Sequence, residues 1–216
     1  MNLLIMGPAG SGKGTFSERI IEHYAIKHIS TGDMLREHVK SQTELGKLAA
    51  GYMNAGKLVP SDVVNQMVEY TLAQDDCKAG WLLDGYPRTL EQANALEQIT
   101  ERIGRPIDAV IVLEVGLETL QDRITTRRVC PQCGAIYNIK SHPSKVPGIC
   151  DQCGHELIQR KDDTLEELEV RMTEYHQNTE PVIEFYETKG LVHRIDGDRD
   201  RETIFGDIQE ILDRIG

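Results

Sequence analysis

The chain has no apolar run approaching the ~20 residues that a bilayer span requires. Met1-Asn2 leads straight into the first short apolar stretch, so no secretory leader is expected. Positive charge is also scarce. The chain has 24 Lys and Arg against 35 Asp and Glu, a formal net charge of −11. A general nucleic-acid binder needs a basic face, so that class is disfavoured. A nucleotide substrate is not, because a local arginine cluster can sit in an acidic protein. There are only five cysteines. In a chain expected in the cytosol they point to a metal or a free thiol before disulfides. No repeat, no low-complexity segment and no spacing typical of a nucleophile with its base appears. The guanine-reading pattern Asn-Lys-x-Asp is missing too.

What is present begins at the amino terminus. Leu3-Leu4-Ile5-Met6 suits one buried parallel strand. Gly7-Pro8-Ala9-Gly10-Ser11-Gly12-Lys13-Gly14-Thr15 follows, then an amphipathic run from Phe16 to Tyr24. Strand, glycine-rich loop, lysine and helix in this order form a phosphate-binding loop. Glycines let backbone N–H groups crowd an anion, and the helix amino terminus adds its partial positive charge. Lys13 supplies a mobile cation. Gly14 stands where a hydroxyl usually follows the lysine, and the hydroxyl comes one residue later, at Thr15.

The rest of the chain alternates strands and helices, which predicts a parallel sheet covered on both faces. Further strands are expected at 25–29, 81–85, 109–113 and 191–195. Helices are expected near 33–39, 45–54, 61–72, 92–99, 117–127 and 202–215, with Ser61-Asp62 capping the third of them. A long helix over 165–189 is expected to bend or break at Pro181. Residues 30–59 read as a helical excursion without a strand of its own.

Three sets of residues carry chemistry. Asp84 ends a buried strand at the sheet edge where ligands sit, and there it suits Mg²⁺, held directly or through water. Arg36, Arg88, Arg123, Arg127, Arg160 and Arg171 recur near strand and helix ends, and converging guanidinium groups fit a phosphate-rich ligand. Arg123 and Arg127 are expected on one helix face at i, i+4, where like charges repel unless an anion lies between them. Arg171 is expected three helical turns beyond Arg160. Finally, Cys130-Pro131-Gln132-Cys133-Gly134 and Cys150-Asp151-Gln152-Cys153-Gly154 are two knuckles separated by sixteen residues. That is tetrahedral four-thiolate spacing, for a structural zinc with no open position. Cys77 stands alone and reads as an ordinary thiol.

These motifs, in this order and spacing along essentially the whole chain, resemble the adenylate kinase family. The match is to its bacterial long form, which has a zinc-binding lid. The shifted hydroxyl of Gly14-Thr15 is that family's normal form. The chain departs from the usual pattern at Pro8-Ala9, Phe16, Ser61-Asp62 and Ser144. The resemblance implies an α/β phosphate-loop fold with a five-stranded parallel sheet. It implies a core of residues 1–29, 60–125 and 164–216, an AMP-binding insertion at 30–59 and a lid at 126–163. The implied reaction is ATP + AMP ⇌ 2 ADP with Mg²⁺, catalysed by a cytosolic monomer. By family motif, Gly10, Ser11, Gly12, Lys13, Gly14 and Thr15 cradle ATP phosphates. Arg123, Arg127, Ile136, Tyr137 and Arg199 reach the ATP phosphates and base. Thr31, Arg36, Lys57, Leu58 and Val59 line the AMP site from the insertion. Gly85, Tyr86, Pro87, Arg88 and Gln92 line it from the core, and Arg160 and Arg171 close over the transferring group. Thr31 favours AMP, since the resembling UMP/CMP kinases commonly carry alanine there. Those kinases are the nearest rival; a non-enzymatic phosphate-loop or zinc-ribbon binding module is the next.

Overall fold

The computed structural model describes residues 1–215. Its centre is a five-stranded parallel sheet. The strands are β1 (Asn2–Met6), β2 (Lys27–Ser30), β3 (Trp81–Asp84), β4 (Ala109–Glu114) and β7 (Val192–Asp196), in the order β2-β3-β1-β4-β7. Every pairing is parallel, and the register sets Ile5 beside both Asp84 and Ile111 and Ser30 beside Asp84. All carboxyl ends therefore emerge on one edge. The strands read as continuous apolar runs because both faces are covered. Leu4, Met6, Leu83, Val110 and Val112 face α4 (Ser61–Leu72), α5 (Leu90–Arg102) and α8 (Glu180–Glu187). Leu3, Ile5, Leu82, Ile111 and Leu113 face α1 (Lys13–Tyr24) and α9 (Arg201–Asp213).

Two segments leave this core. Between β2 and α4, α2 (Thr31–Lys40) and α3 (Glu44–Asn54) form a helical hairpin. Ser30 Oγ accepts the Asp33 N–H at the start of α2 and Thr43 Oγ1 accepts the Gly46 N–H at the start of α3. After α6 (Leu117–Thr126), β5 (Arg127–Val129) pairs antiparallel with β6 (Ile136–Asn138). This segment has its own small core of Cys130, Ala135, Tyr137, Cys150 and Leu157.

The structure corrects several sequence expectations. Pro60, not Ser61-Asp62, is the residue before α4, and no side chain caps that helix. The long carboxyl-terminal helix does not break at Pro181. It runs as α7 (Leu165–Glu174), then a π turn over Tyr175–Thr179, then α8, with Pro181 harmless in the first turn of α8. Arg127 is not on the face of α6. The helix ends at Thr126 and Arg127 is already extended, with φ −65° and ψ 141°. Arg160 lies in the loop before α7, so no helix of three turns joins it to Arg171.

Leu83 is fully buried between β2 and β1. Leu83→Ala should lower the unfolding free energy by about 2–5 kcal/mol, read by urea denaturation. A loss below about 1 kcal/mol would mean the sheet is not the centre of the cooperative unit.

Candidate active site

The carboxyl edge of the sheet opens into a cavity of about 790 Å³. The loop from β1 to α1 forms its floor. Gly10 lies at φ 85°, and a Cβ there would come 2.9 Å from Ile124 Cγ1, so only glycine fits. No side chain caps α1 at Gly12, which leaves its first N–H groups facing the cavity for an anion. Lys13 bends back over the loop and donates to the carbonyls of Gly7 (2.6 Å) and Pro8 (2.8 Å). Crowding away from water lowers its pKa to about 8, helped by Arg88, Arg127 and Arg171 and opposed by Asp84.

The β3–α5 turn forms one wall. Gly85, at φ 79°, lies so close that a Cβ would reach 2.9 Å from Arg88 Nη2. Thr31 Oγ1 donates to the Gly85 carbonyl at 3.0 Å. Arg88 Nε donates to the same carbonyl at 2.8 Å, and the Arg88 N–H donates to Gln92 Oε1 at 2.8 Å. Thr89 caps α5 by accepting the Gln92 N–H. Tyr86 is buried, and its hydroxyl turns away from the cavity to donate to Asn65 Oδ1 at 2.8 Å. Asp84 sits between these walls. His28 Nε2, buried without a hydrogen-bond partner among the described residues, lies 3.9 Å from Asp84 Oδ2.

Arginines from the two excursions, from α6 and from α7 complete the enclosure. Arg36 pairs with Asp33, Arg127 with the fully buried Asp163, and Arg171 with Asp162. Arg123 Nη1 donates to the Ser11 carbonyl (3.1 Å) and Nη2 to the Gly197 carbonyl (2.8 Å), tying α6 to both flanking loops. Lys13, Arg88, Arg123 and Arg160 have no carboxylate within 4.0 Å among the described residues. Burial lowers all four pKa values, and that of Arg160 falls to about 10 beside Arg36 and Arg127. Four cations without carboxylate partners around one cavity, in a chain of net charge −11, form a site suited to a multiply charged anion.

The nucleotide-site residues predicted from the sequence line this one cavity, with one exception. Ser11 is buried under the loop and its N–H is taken by the Pro8 carbonyl at 3.2 Å. Arg123 and Arg127 do share the cavity, but a carboxylate rather than an unfilled gap stands against Arg127. Tyr137 keeps its ring at the cavity while its hydroxyl accepts the Asp151 N–H at 2.8 Å within the cysteine segment. Arg199 lies at the rim, paired with Asp207 and Asp196. Sequence reasoning missed His28, Arg201, Thr119 and Thr179. The carboxyl-edge rule for parallel sheets points to Thr119 and Arg201, which follow β4 and β7. No sequence signal marks Thr179.

Cys130, Cys133, Cys150 and Cys153 place their sulfurs within 4.8 Å of one another. In each knuckle the glycine N–H donates back to the first cysteine carbonyl, Gly134 to Cys130 at 3.0 Å and Gly154 to Cys150 at 2.9 Å. Tetrahedral Zn–S bonds of about 2.3 Å place sulfurs about 3.8 Å apart. Neighbouring pairs here stand at 3.3–3.5 Å, so the donor set and its size fit a four-coordinate metal ion.

Comparison with known proteins gives one family. A model of the adenylate kinase family matches residues 5–191. An adenylate kinase of Caldanaerobacter subterraneus is 49% identical over 212 residues, covering 98% of this chain and 96% of that protein. One from Archaeoglobus fulgidus is 48% identical, covering 100% and 99%. One from Bacillus subtilis is 46% identical, covering 98% of each.

The depressed Lys13 pKa fixes a sign. Its ordinary value is 10.5, so between pH 8 and 10.5 the unfolded chain holds more protons on this group than the folded chain. Stability therefore rises with pH across that window, and below it the cost of burying the charge is fully present. The urea midpoint of the ligand-free chain should rise from pH 8 to about 9.5, short of the tyrosine range, relative to Lys13→Met. Equal pH slopes in the two chains would show that Lys13 is not desolvated.

Proposed function

The chain belongs to the adenylate kinase family and transfers a phosphoryl group between nucleotides, ATP + AMP ⇌ 2 ADP; from that premise we propose which of its residues do what. Gly10, Gly12, Gly14 and Thr15 hold the ATP phosphates through backbone N–H groups, and Lys13 swings from its two loop carbonyls to the outer phosphates. Arg36 and Arg88 bind the AMP phosphate, with Thr31, Lys57, Leu58, Val59, Gly85 and Gln92 around the nucleoside. Arg123, Arg127, Arg160 and Arg171 spread over the transferring group and balance the charge it redistributes. Tyr86 and Pro87 act by shaping the turn that carries Arg88. Ile136, the Tyr137 ring and Arg199 flank the ATP base.

The observation that carries this reading is the set of four unpaired cations around one cavity. It also explains why no base is needed. The acceptor is a phosphate monoester, whose oxygens are largely ionised at neutral pH, so positioning and charge neutralisation suffice. Mg²⁺ accompanying ATP neutralises phosphate charge when bound, and Asp84 is the carboxylate suited to orient it. Residues 30–59 serve as the AMP-binding domain and 126–163 as the lid, with 1–29, 60–125 and 164–216 as the core. Ile136 reaches the loop, within 3.4 Å of where a Cβ on Gly14 would be, so the lid can exclude water from the phosphates.

Zinc is the metal proposed for the four cysteines, as structural scaffolding of the lid. The reading includes a cytosolic monomer handling free nucleotides and no nucleic acid. One chain supplies residues for both nucleotides, the net charge is acidic, and the cysteines are gathered for a metal rather than paired.

A coupled assay of ADP formed from ATP and each monophosphate in turn should give AMP the highest rate. Lys13→Met should lower kcat by roughly 10²–10³-fold, the scale of one lost charge-stabilising group, with the fold intact by circular dichroism. A faster rate with UMP or CMP, or an undiminished rate in the variant, would overturn the assignment.

Removal of the metal by a chelator, checked by elemental analysis, should lower Tm by roughly 5–10 °C, a few kcal/mol for a chain of this size. An unchanged melting curve in the metal-free protein would mean the cysteines hold the lid without an ion.

A further inference from the structure

The π turn at Tyr175–Thr179 has a geometric consequence. An α-helix turns about 100° per residue, so residue 178, seven steps beyond Arg171, would share the face of Arg171. Residue 179 would then point about 80° away. A π turn winds at about 4.4 residues per turn, roughly 82° per residue. The four steps from Tyr175 to Thr179 therefore fall short by about 70°, which brings Thr179 to within about 10° of the direction of Arg171. The contacts agree. Arg171 and Thr179 line the same cavity, while Asn178 turns back to donate to Glu174 Oε2 at 2.9 Å.

Thr179 is buried, and its hydroxyl donates to the Arg88 carbonyl at 3.1 Å, across 91 residues of chain. The other bonds that hold Arg88, to Gln92 Oε1 and to the Gly85 carbonyl, come from within the β3–α5 turn itself. Thr179 is thus the link between that turn and the helix bearing Arg171.

We propose that Thr179 is a positioning residue for phosphoryl transfer: its hydroxyl fixes the Arg88 backbone so that the guanidinium is held toward the acceptor phosphate, and the π turn is the register device that brings it there beside Arg171. This rests on the reading of Arg88 as the arginine that binds the AMP phosphate. The effect falls on the acceptor side, because the hydrogen bond touches nothing on the ATP-binding loop.

Steady-state kinetics in both substrates on Thr179→Val, Thr179→Ser and Arg88→Ala test it, each with a melting curve. Thr179→Val keeps the shape and removes the donor. It should lower kcat/KM for AMP about tenfold, the scale of one lost hydrogen bond, with KM for ATP within about twofold of the parent. Thr179→Ser restores the donor and should return kcat/KM for AMP to within about twofold of the parent. Should Thr179→Val fail to fold, Thr179→Ala carries the same expectation. An unchanged AMP efficiency in Thr179→Val, or equal losses for AMP and ATP, would overturn the proposal if Arg88→Ala still raises KM for AMP. An unchanged KM for AMP in Arg88→Ala would overturn instead the reading of Arg88 on which the proposal stands.

Discussion

The structure depends on positive charge gathered, without acidic partners, at one edge of a parallel sheet. Lys13, Arg123 and Arg160 are partly buried, Arg88 is exposed, and none of the four has a carboxylate partner within 4.0 Å among the described residues. A folded chain tolerates such groups only when something else in the fold over-determines their positions. Here the sheet does so. Its five carboxyl ends open on one side, and the loop after β1 and the turn after β3 place Lys13 and Arg88 against each other across Asp84. Enclosure, and behind it the mutual repulsion of these cations, lowers their pKa values in the ligand-free chain, and an anion entering the cavity would offset both.

The acidic partners are arranged with equal consistency. Asp33, Asp162 and Asp163 each hold one arginine: Arg36 on α2, Arg171 on α7 and Arg127 at the start of β5. Asp163 is fully buried, so its bond to Arg127 ties the end of the cysteine segment to its start at β5. The four cysteines hold the far end of the same segment, where only a five-residue cluster of buried side chains is available as a core. A core that small is the kind a four-thiolate metal site would reinforce.

His28 and Thr179 show how the inner residues are themselves supported. His28 stands on β2 with Nε2 3.9 Å from Asp84 Oδ2 and no hydrogen-bond partner among the described residues. Thr179 reaches the Arg88 carbonyl from a helix that would miss it without the π turn. Such turns recur at functional sites because one added residue per turn re-aims a side chain without ending the helix.

Much of this was legible in the sequence. The glycine spacing and Lys13 require a phosphate loop, since few other backbones need glycine at those points. The twin Cys-x₂-Cys knuckles state their own geometry, and apolar runs bounded by helices specify a parallel sheet. Residue chemistry and local period determined these features, and neither depends on distant contacts. Only the tertiary structure decided that Arg127 leaves its helix to meet Asp163, and that Tyr86 spends its hydroxyl on Asn65. The same holds for Ser11, which sinks beneath the loop, and for Thr179 in place of Asn178 facing the cavity. Each of these outcomes turns on a partner distant along the chain, or on a change of helical winding that packing imposes, and local propensity carries no information about either.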